Sequence, residues 1–343
     1  MLFFVFKFLF FLLLRKLSNH REMNYAIGID IGGTNTDIGL VTENGEIIDK
    51  VNISTNKYTD AQLFVKDMCD GIKTLLQRQN IANIDGIGIG APNGNTYTGC
   101  IDNAPNLRMK GNIELANMVR QYFNTKVVIS NDANAAAFGE KIYGGAKNLR
   151  HFITFTLGTG VGSGIIIDGN LVLGATSTAG ELGHVIMIPQ GRQCGCGRRG
   201  CLETYTSAGG IVATARELLN DDHEYNGVLR QNAGDLTSKM IGDAANAGDP
   251  LALKVFEKVG WMLGLAMANA VAFSVPEAIF LMGGPVHAGE VLMKPLRKSF
   301  EENLLYVYKD KQTGKPLVDI KVSSLKDNEV AILGAAALIQ MVM

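Results

Sequence analysis

Three thiols and an imidazole stand at metal-ligand spacing in one stretch of this chain: Cys194, Cys196 and Cys201 in CGCGRRGCLE (194–203), with His184 ten positions upstream. Structural zinc takes four tetrahedral nitrogen or sulfur ligands in closed sites such as Cys3His. Gly195, Gly197 and Gly200 leave the intervening backbone free to wrap an ion. On spacing alone, a disulfide or a glycine-rich turn merely filled by cysteine stays open. Disulfide frameworks, however, belong to small secreted chains, and these thiols cluster within 343 residues able to bury an ample core. His184, Cys194, Cys196 and Cys201 are therefore read as a Zn²⁺ set in a reducing compartment.

Zinc occupies one ring nitrogen of a histidine and leaves the other as an oriented hydrogen-bonding group. ELGH (181–184) puts Glu181 beside His184, and Glu203 lies two residues past Cys201. One loop thus gathers two carboxylates and an imidazole suited to grip the vicinal hydroxyls of a sugar. The same spacing also fits Glu181 and Glu203 as solvated surface charges.

Glycine turns supply a second kind of chemistry. DIGGTNT (30–36) joins two strands through Gly32, Gly33 and Thr34, whose N–H groups can converge on an anion. Asp30, at the end of the first strand, offers a carboxylate to Mg²⁺. Alone, this segment reads equally as a hairpin turn, and it matches neither a P-loop nor a dinucleotide fingerprint. TLGTGVGSG (156–164) repeats the device, and LMGGPVHAG (281–289) ends another strand in a glycine pair before a helix. Three such loops together point to a nucleotide cleft. In VVISNDANAAAFGE (127–140), Asn131 and Asp132 stand where a strand hands over to an Ala-rich helix. Two roles fit Asp132: the helix N-cap, or a general base facing a cleft at the carboxyl end of a strand. The neighbouring motifs favour the base.

The elements that must position these residues come in duplicate. YAIGIDIGGTNTDIGLVTENGEII from Tyr25 aligns with HFITFTLGTGVGSGIIIDGNLVL from His151, superposing Asp30 on Thr156 and Gly32 on Gly158. Strands are expected at 25–31, 36–42, 46–54, 84–90, 126–130, 277–283 and 317–322. Helices are expected near 59–80, 112–124, 133–143, 250–273 and 328–341. This alternation implies βαβ units and a largely parallel sheet in each of two lobes, with small ligands bound between them.

A net charge of −1, with no basic block or aromatic and basic interleaving, gives a nucleic-acid surface no electrostatic support. The chain opens with fourteen largely apolar residues interrupted by Lys7 and followed by Arg15 and Lys16. No cleavage site is visible, and the run is shorter than the roughly 20 residues a spanning helix needs. Residues 1–22 are expected to be an upstream extension of a cytoplasmic protein, with Met23 as a start in its own right; a membrane anchor is the alternative.

In order, DIGGT, IGAPNG, NDAN, TLGTGVGSG, ELGH and CGCGRRGCLE resemble the ROK family of sugar kinases and repressors over about residues 24–340. ELGH with CxCGxxGCxE is the specific part. The resemblance implies an α/β, actin-like ATPase (ribonuclease H-like) fold, with two duplicated lobes, ATP and a hexose meeting in the interlobe cleft, and a homodimer. An N-terminal lobe is expected at 23–131, completed by the helix at 328–341, and a C-terminal lobe at 132–327 with the zinc-binding loop at 184–201.

Position by position, the resemblance implies that Asp132 accepts the proton of the sugar 6-hydroxyl as it attacks the γ-phosphoryl of Mg·ATP. Asn131, Glu181, His184 and Glu203 resemble the hydroxyl-binding set. Asp30, Gly32, Gly33 and Thr34 resemble the first phosphate motif, Gly158, Thr159 and Gly160 the second, and Gly283 with Gly284 the adenosine motif. Asn35 replaces a longer side chain of many relatives, Asn93 replaces a glycine of several, and Asn106 is a weaker binding candidate.

Glucose is the first substrate expected, with an N-acetylglucosamine or N-acetylmannosamine kinase or a fructokinase as neighbouring readings and polyphosphate as an alternative donor. A sugar-responsive repressor would need a winged helix-turn-helix domain. The 29 residues before Asp30, most of them apolar, offer no recognition helix. A non-catalytic sugar-binding protein is opposed by Asp132 and the intact glycine turns.

Overall fold

The structure, a computed structural model, describes residues 24–342, so the expectation for residues 1–22 lies outside it. The chain begins with a meander of β1 (Tyr25–Ile31), β2 (Asn35–Thr42) and β3 (Ile47–Ser54), then passes through helix α1 (Ala61–Arg78) to β4 (Gly86–Ala91). A ribbon of β5 (Gly94–Asn95), β6 (Cys100–Asp102) and β7 (Asn112–Ile113) and the short helix α2 (Leu115–Arg120) lead to β8 (Lys126–Asn131) and helix α3 (Asp132–Ile142). The meander then recurs as β9 (Phe152–Leu157), β10 (Val161–Ile167) and β11 (Asn170–Leu171). Four helices follow, α4 (Glu203–Thr206), α5 (Ala208–Asp221), α6 (Val228–Gln231) and α7 (Ser238–Asn246). The long α8 (Pro250–Ser274), β12 (Ala278–Met282), α9 (Glu290–Asn303), β13 (Asp319–Val322) and α10 (Val330–Ala337) complete the chain.

The duplication read from Tyr25 and His151 is a duplication of whole sheets. The first has the order β3-β2-β1-β4-β8 and the second β11-β10-β9-β12-β13, with antiparallel meanders and parallel additions at corresponding places. Each lobe encloses its own core. In the first, α1 lays Phe64, Val65, Met68, Ile72 and Leu75 against the sheet, its start fixed by Asp60, which accepts from the N–H groups of Gln62 and Leu63. No helix among the described residues is long and apolar enough to cross a membrane.

A third apolar cluster joins the lobes, built on α3 and α10. Each helix leaves one sheet and packs on the other: α10 on β1 and β4, α3 on β9 and β10. Gly28 and Gly88, paired across β1 and β4, make the room for α10, since a Cβ on either would fall about 2 Å from a helix carbonyl oxygen, Ile332 O at 2.1 Å and Ala335 O at 1.8 Å. The two helices meet at Gly139 and Gly334. A Cβ on Gly139 would lie 2.7 Å from the Gly334 Cα, and one on Gly334 would lie 2.6 Å from the Ala135 carbonyl oxygen.

Two expectations change. The helix expected at 112–124 is only Leu115–Arg120, because Asn112–Ile113 is drawn into the small ribbon. The strand expected at 317–322 begins at Asp319. Alanine favours a helix over glycine by about 1 kcal/mol, but overpacking costs about 1–3 kcal/mol where backbone cannot yield. Gly334→Ala is therefore expected to destabilise the protein, read as a lower urea midpoint; a raised midpoint would refute this account of the crossing.

Candidate active site

The carboxyl ends of β1, β4, β8, β9 and β12 open on one cleft of about 900 Å³ between the lobes. Its lining gathers Asp30, Asn93, Asn106, Asn131, Asp132, Glu181, His184 and Glu203 with Gly158, Thr159, Gly160, Gly283 and Gly284. Gly32, Gly33 and Thr34 are not among the lining residues. Gly33 is covered by Asn106, whose carbonyl oxygen would lie 2.8 Å from an added Cβ. The Gly32 N–H is consumed by Asn35 O at 2.9 Å, as that of Gly158 is by Gly160 O at 2.9 Å. The N–H groups of Gly33, Thr34, Thr159 and Gly160 have no protein acceptor among the described residues. Asn93 holds φ at 51°, a left-handed conformation that asparagine tolerates and glycine adopts freely.

The cap of α3 bears on the alternative role weighed for Asp132. Asn131, with extended backbone, is the N-cap, and Asp132 is the first helical residue. Ala133 N–H is shared between Asn131 Oδ1 at 2.9 Å and Asp132 Oδ1 at 2.8 Å. The cap thus uses the carbonyl of Asn131 and leaves its amide donors. Among the described residues, the second oxygen of Asp132 has no protein donor.

Asp132 lines the cleft with part of its surface exposed, and desolvation raises its pKa against the lowering pull of the Ala133 N–H and of its own N–H. Asp30 is raised from 3.8 to about 7, first by burial, then by the charges of Asp132 and of Asp37, its direct partner on β2. Glu181 is also raised, chiefly by burial; His184 opposes the shift while Asp132 and Glu203 add to it.

ELGH is held down on β10. Gly183 passes so close to Val161 that a Cβ would fall 1.9 Å from its carbonyl oxygen. Ser163, unnoticed in the sequence, donates to Gly180 O and accepts the Leu182 N–H at 3.1 Å. Its one signal is a hydroxyl in a strand otherwise made of glycine and β-branched apolar residues. Glu203 rests on the second glycine turn, Oε2 accepting the Val161 N–H at 3.0 Å. Asp327, also unforeseen, enters the lining near Gly283 and pairs with His287 at 2.6 Å.

His184 turns Nδ1 toward Cys194 Sγ, 3.6 Å away, and Nε2 toward Glu181 Oε2 at 3.9 Å. Cys196 and Cys201 sulfurs are 3.6 Å apart, and the ligating atoms of all four residues lie within 4.8 Å of one another. Tetrahedral bonds of about 2.3 Å to sulfur and 2.1 Å to nitrogen would space such atoms roughly 3.6–3.8 Å apart. A disulfide requires about 2.05 Å, and all five cysteines are free thiols. The four residues therefore fit a zinc ion and do not form a disulfide.

Two sheets of one topology, whose first strands both end at a shared cleft, define an actin-like ATPase fold. The ROK family model matches residues 26–342, and the chain belongs to the ROK family. It is 37% identical over 282 residues to a glucokinase of Halalkalibacterium halodurans, covering 81% of this chain and 85% of that one. A xylose repressor of Caldicellulosiruptor bescii is 31% identical, with 94% and 80% covered. The crystal structure of a ROK family glucokinase from Streptomyces griseus in complex with glucose and AMPPNP superposes with a TM-score of 0.76 at 31% identity, covering 93% of this chain and 100% of that one.

Two outcomes follow for the isolated protein. Cys201→Ser is expected to lose bound zinc and lower the melting temperature; unchanged metal content would remove the zinc assignment. Folded Asp30 keeps a proton up to pH about 7 that the unfolded chain releases near 3.8. Rising pH across that window therefore removes stability from the metal-free protein, on the order of a few kcal/mol. Asp30→Asn should gain over the parent at pH 8 and much less at pH 5, by urea denaturation without divalent ions; equal differences at both pH values would contradict this.

Proposed function

We propose that the protein is an ATP-dependent sugar kinase that phosphorylates a hexose on its 6-hydroxyl, with glucose as the preferred substrate. One observation carries the reading. The cleft holds a carboxylate, Asp132, with one oxygen free of protein donors and close enough to interact electrostatically with both Glu181 and Asp30. The names and ligands of the glucokinase relatives support glucose and a nucleoside triphosphate as the pair that meets there.

In this reading the Asn131 amide, Glu181, His184 Nε2 and Glu203 bind ring hydroxyls and aim the 6-hydroxyl at the donor. Asp132 takes the hydroxyl proton as the oxygen bonds to the γ-phosphorus, the bond to the β,γ-bridging oxygen breaks, and ADP leaves. Its raised proton affinity suits a general base, provided it stays ionised at the working pH. The open N–H groups of Thr159 and Gly160 face phosphate oxygens. Lobe approach about the α3–α10 crossing brings up those of Gly33 and Thr34. Gly283 and Gly284 border the adenosine.

The lining contains Asp30, Asp132, Glu181, Glu203 and Asp327 and, among the described residues, no lysine or arginine. Side chains therefore cannot neutralise a triphosphate here, which supports Mg²⁺ held at Asp30 as the balancing charge. Zn²⁺ on His184, Cys194, Cys196 and Cys201 would leave no open coordination position; it would supply a structural node fixing the loop that carries the hydroxyl-binding residues. We also place the lobe boundaries at 23–131 with 328–341, and 132–327, supported by the packing of α10 and α3. A cytoplasmic homodimer acting in carbohydrate metabolism completes the proposal, the free thiols favouring a reducing compartment.

The test measures ADP release by the chain with Mg·ATP, and separately with polyphosphate as donor, against glucose, N-acetylglucosamine, N-acetylmannosamine and fructose. Asp132→Asn is expected to lower kcat by about 10²–10⁴-fold with ADP binding retained. Preference for another hexose would move the substrate and keep the mechanism. Sugar binding without turnover on any donor would defeat the kinase reading and favour a regulator, as the repressor relative suggests.

A further inference from the structure

Arg192 lies in the cysteine loop, two residues before Cys194, yet it faces neither the cleft nor the metal ligands. Its largely buried guanidinium is a hub. Nε and one terminal nitrogen grip Glu217 in a fork, at 2.7 and 2.5 Å. The same terminal nitrogen reaches Thr214 Oγ1 at 3.0 Å, and the other donates to the carbonyls of Thr204 at 2.7 Å and Gly210 at 3.2 Å. The guanidinium also stacks 4.5 Å from the centre of the Tyr205 ring. The Tyr205 hydroxyl accepts the Arg192 backbone N–H at 3.0 Å. The Arg192 carbonyl accepts the Gly200 N–H at 2.8 Å.

One residue therefore brackets Gly200–Thr204 at both ends, and that segment contains Cys201 and Glu203. We propose that Arg192 is a positioning residue for the sugar end of the cleft: by tying the cysteine loop to α4 and α5, it preorganises the zinc ligands and sets where the Glu203 carboxylate lies. The inference rests on the kinase reading for its sugar arm and stands apart from it in its metal arm. Arginine is suited to the task because a planar fork can hold a carboxylate, two carbonyls and an aromatic face at once, which a lysine cannot.

The test compares the full chain with Arg192→Ala, Arg192→Lys and Glu217→Gln. Zinc affinity is read by competition with a chromogenic chelator, ADP binding by calorimetry, and KM and kcat with glucose and Mg·ATP. Residues that orient metal ligands from outside typically set affinity by about 10–100-fold, so Arg192→Ala is expected to weaken zinc by about that factor. It is also expected to raise the sugar KM more than it lowers kcat, with ADP binding as in the parent. Arg192→Lys should recover part of the loss. Zinc affinity within about twofold of the parent, where a positioning role costs tenfold or more, overturns the proposal. A loss of ADP binding in step with zinc marks general unfolding of that variant and passes the decision to Glu217→Gln. If Arg192→Ala does not fold, Glu217→Gln decides: weaker zinc with ADP binding intact supports the proposal, unchanged zinc overturns it. A parent that phosphorylates no sugar would sink the kinase reading and leave the metal arm to decide this one.

Discussion

Gly139 of α3 and Gly334 of α10 touch backbone to backbone, and the separation of the two lobes follows from that contact. Any side chain there would push the helices apart by a large part of an ångström and tilt both sheets, since α10 lies in the groove made by Gly28 and Gly88 and α3 lies on Gly162 and Gly164. Both helices begin at the cleft, where Ala133, Ala135 and Ala136 of α3 and Val330 and Ala331 of α10 form part of the lining. The crossing thus fixes the floor of the site as well as the spacing of the lobes. Small residues serve both ends: they permit close approach where the helices meet and leave open volume where they start.

Above that floor the chemistry is dominated by carboxylates. Asp30, Asp132 and Glu181 all have raised proton affinities, chiefly because each is partly stripped of water, and the charge of Asp132 adds to the shifts of the other two. Such a cleft is electrostatically incomplete by itself. It favours cations and hydrogen-bond donors. The cysteine loop contributes a rigid wall to this arrangement. Its two anchors differ in kind: a cluster of three thiols and an imidazole on the cleft side, and the arginine hub on the side of α5.

Much of this was legible because the informative residues carry their own geometry. The glycine turns after Asp30 and Leu157 mark hairpins, and their recurrence exposes the sheet duplication. The Cys and His spacing brought the four metal-binding candidates together, and ELGH brought Glu181 with them. Sequence spacing failed where tertiary contacts decide. It could not tell whether Asn131 or Asp132 caps α3, since both can accept the Ala133 N–H and only the backbone angle of Asn131 separates them. It could not show Asn106 folding over Gly33, because the loop between β6 and β7 has no periodicity. Arg192 stayed hidden for the same reason, its partners being carbonyls and a helix face distant along the chain. The strands of the β5–β7 ribbon, two or three residues each, leave no pattern to read.

The exchange of α3 and α10 between sheets reaches beyond the site. Each half of the duplicated chain ends in a helix that completes the apolar layer of the other half, so neither sheet is covered by its own half alone. The two halves are mutual templates. Although the gene's repeat suggests two modules, the molecule behaves as a reciprocal embrace in which a half made alone keeps a naked glycine-lined groove.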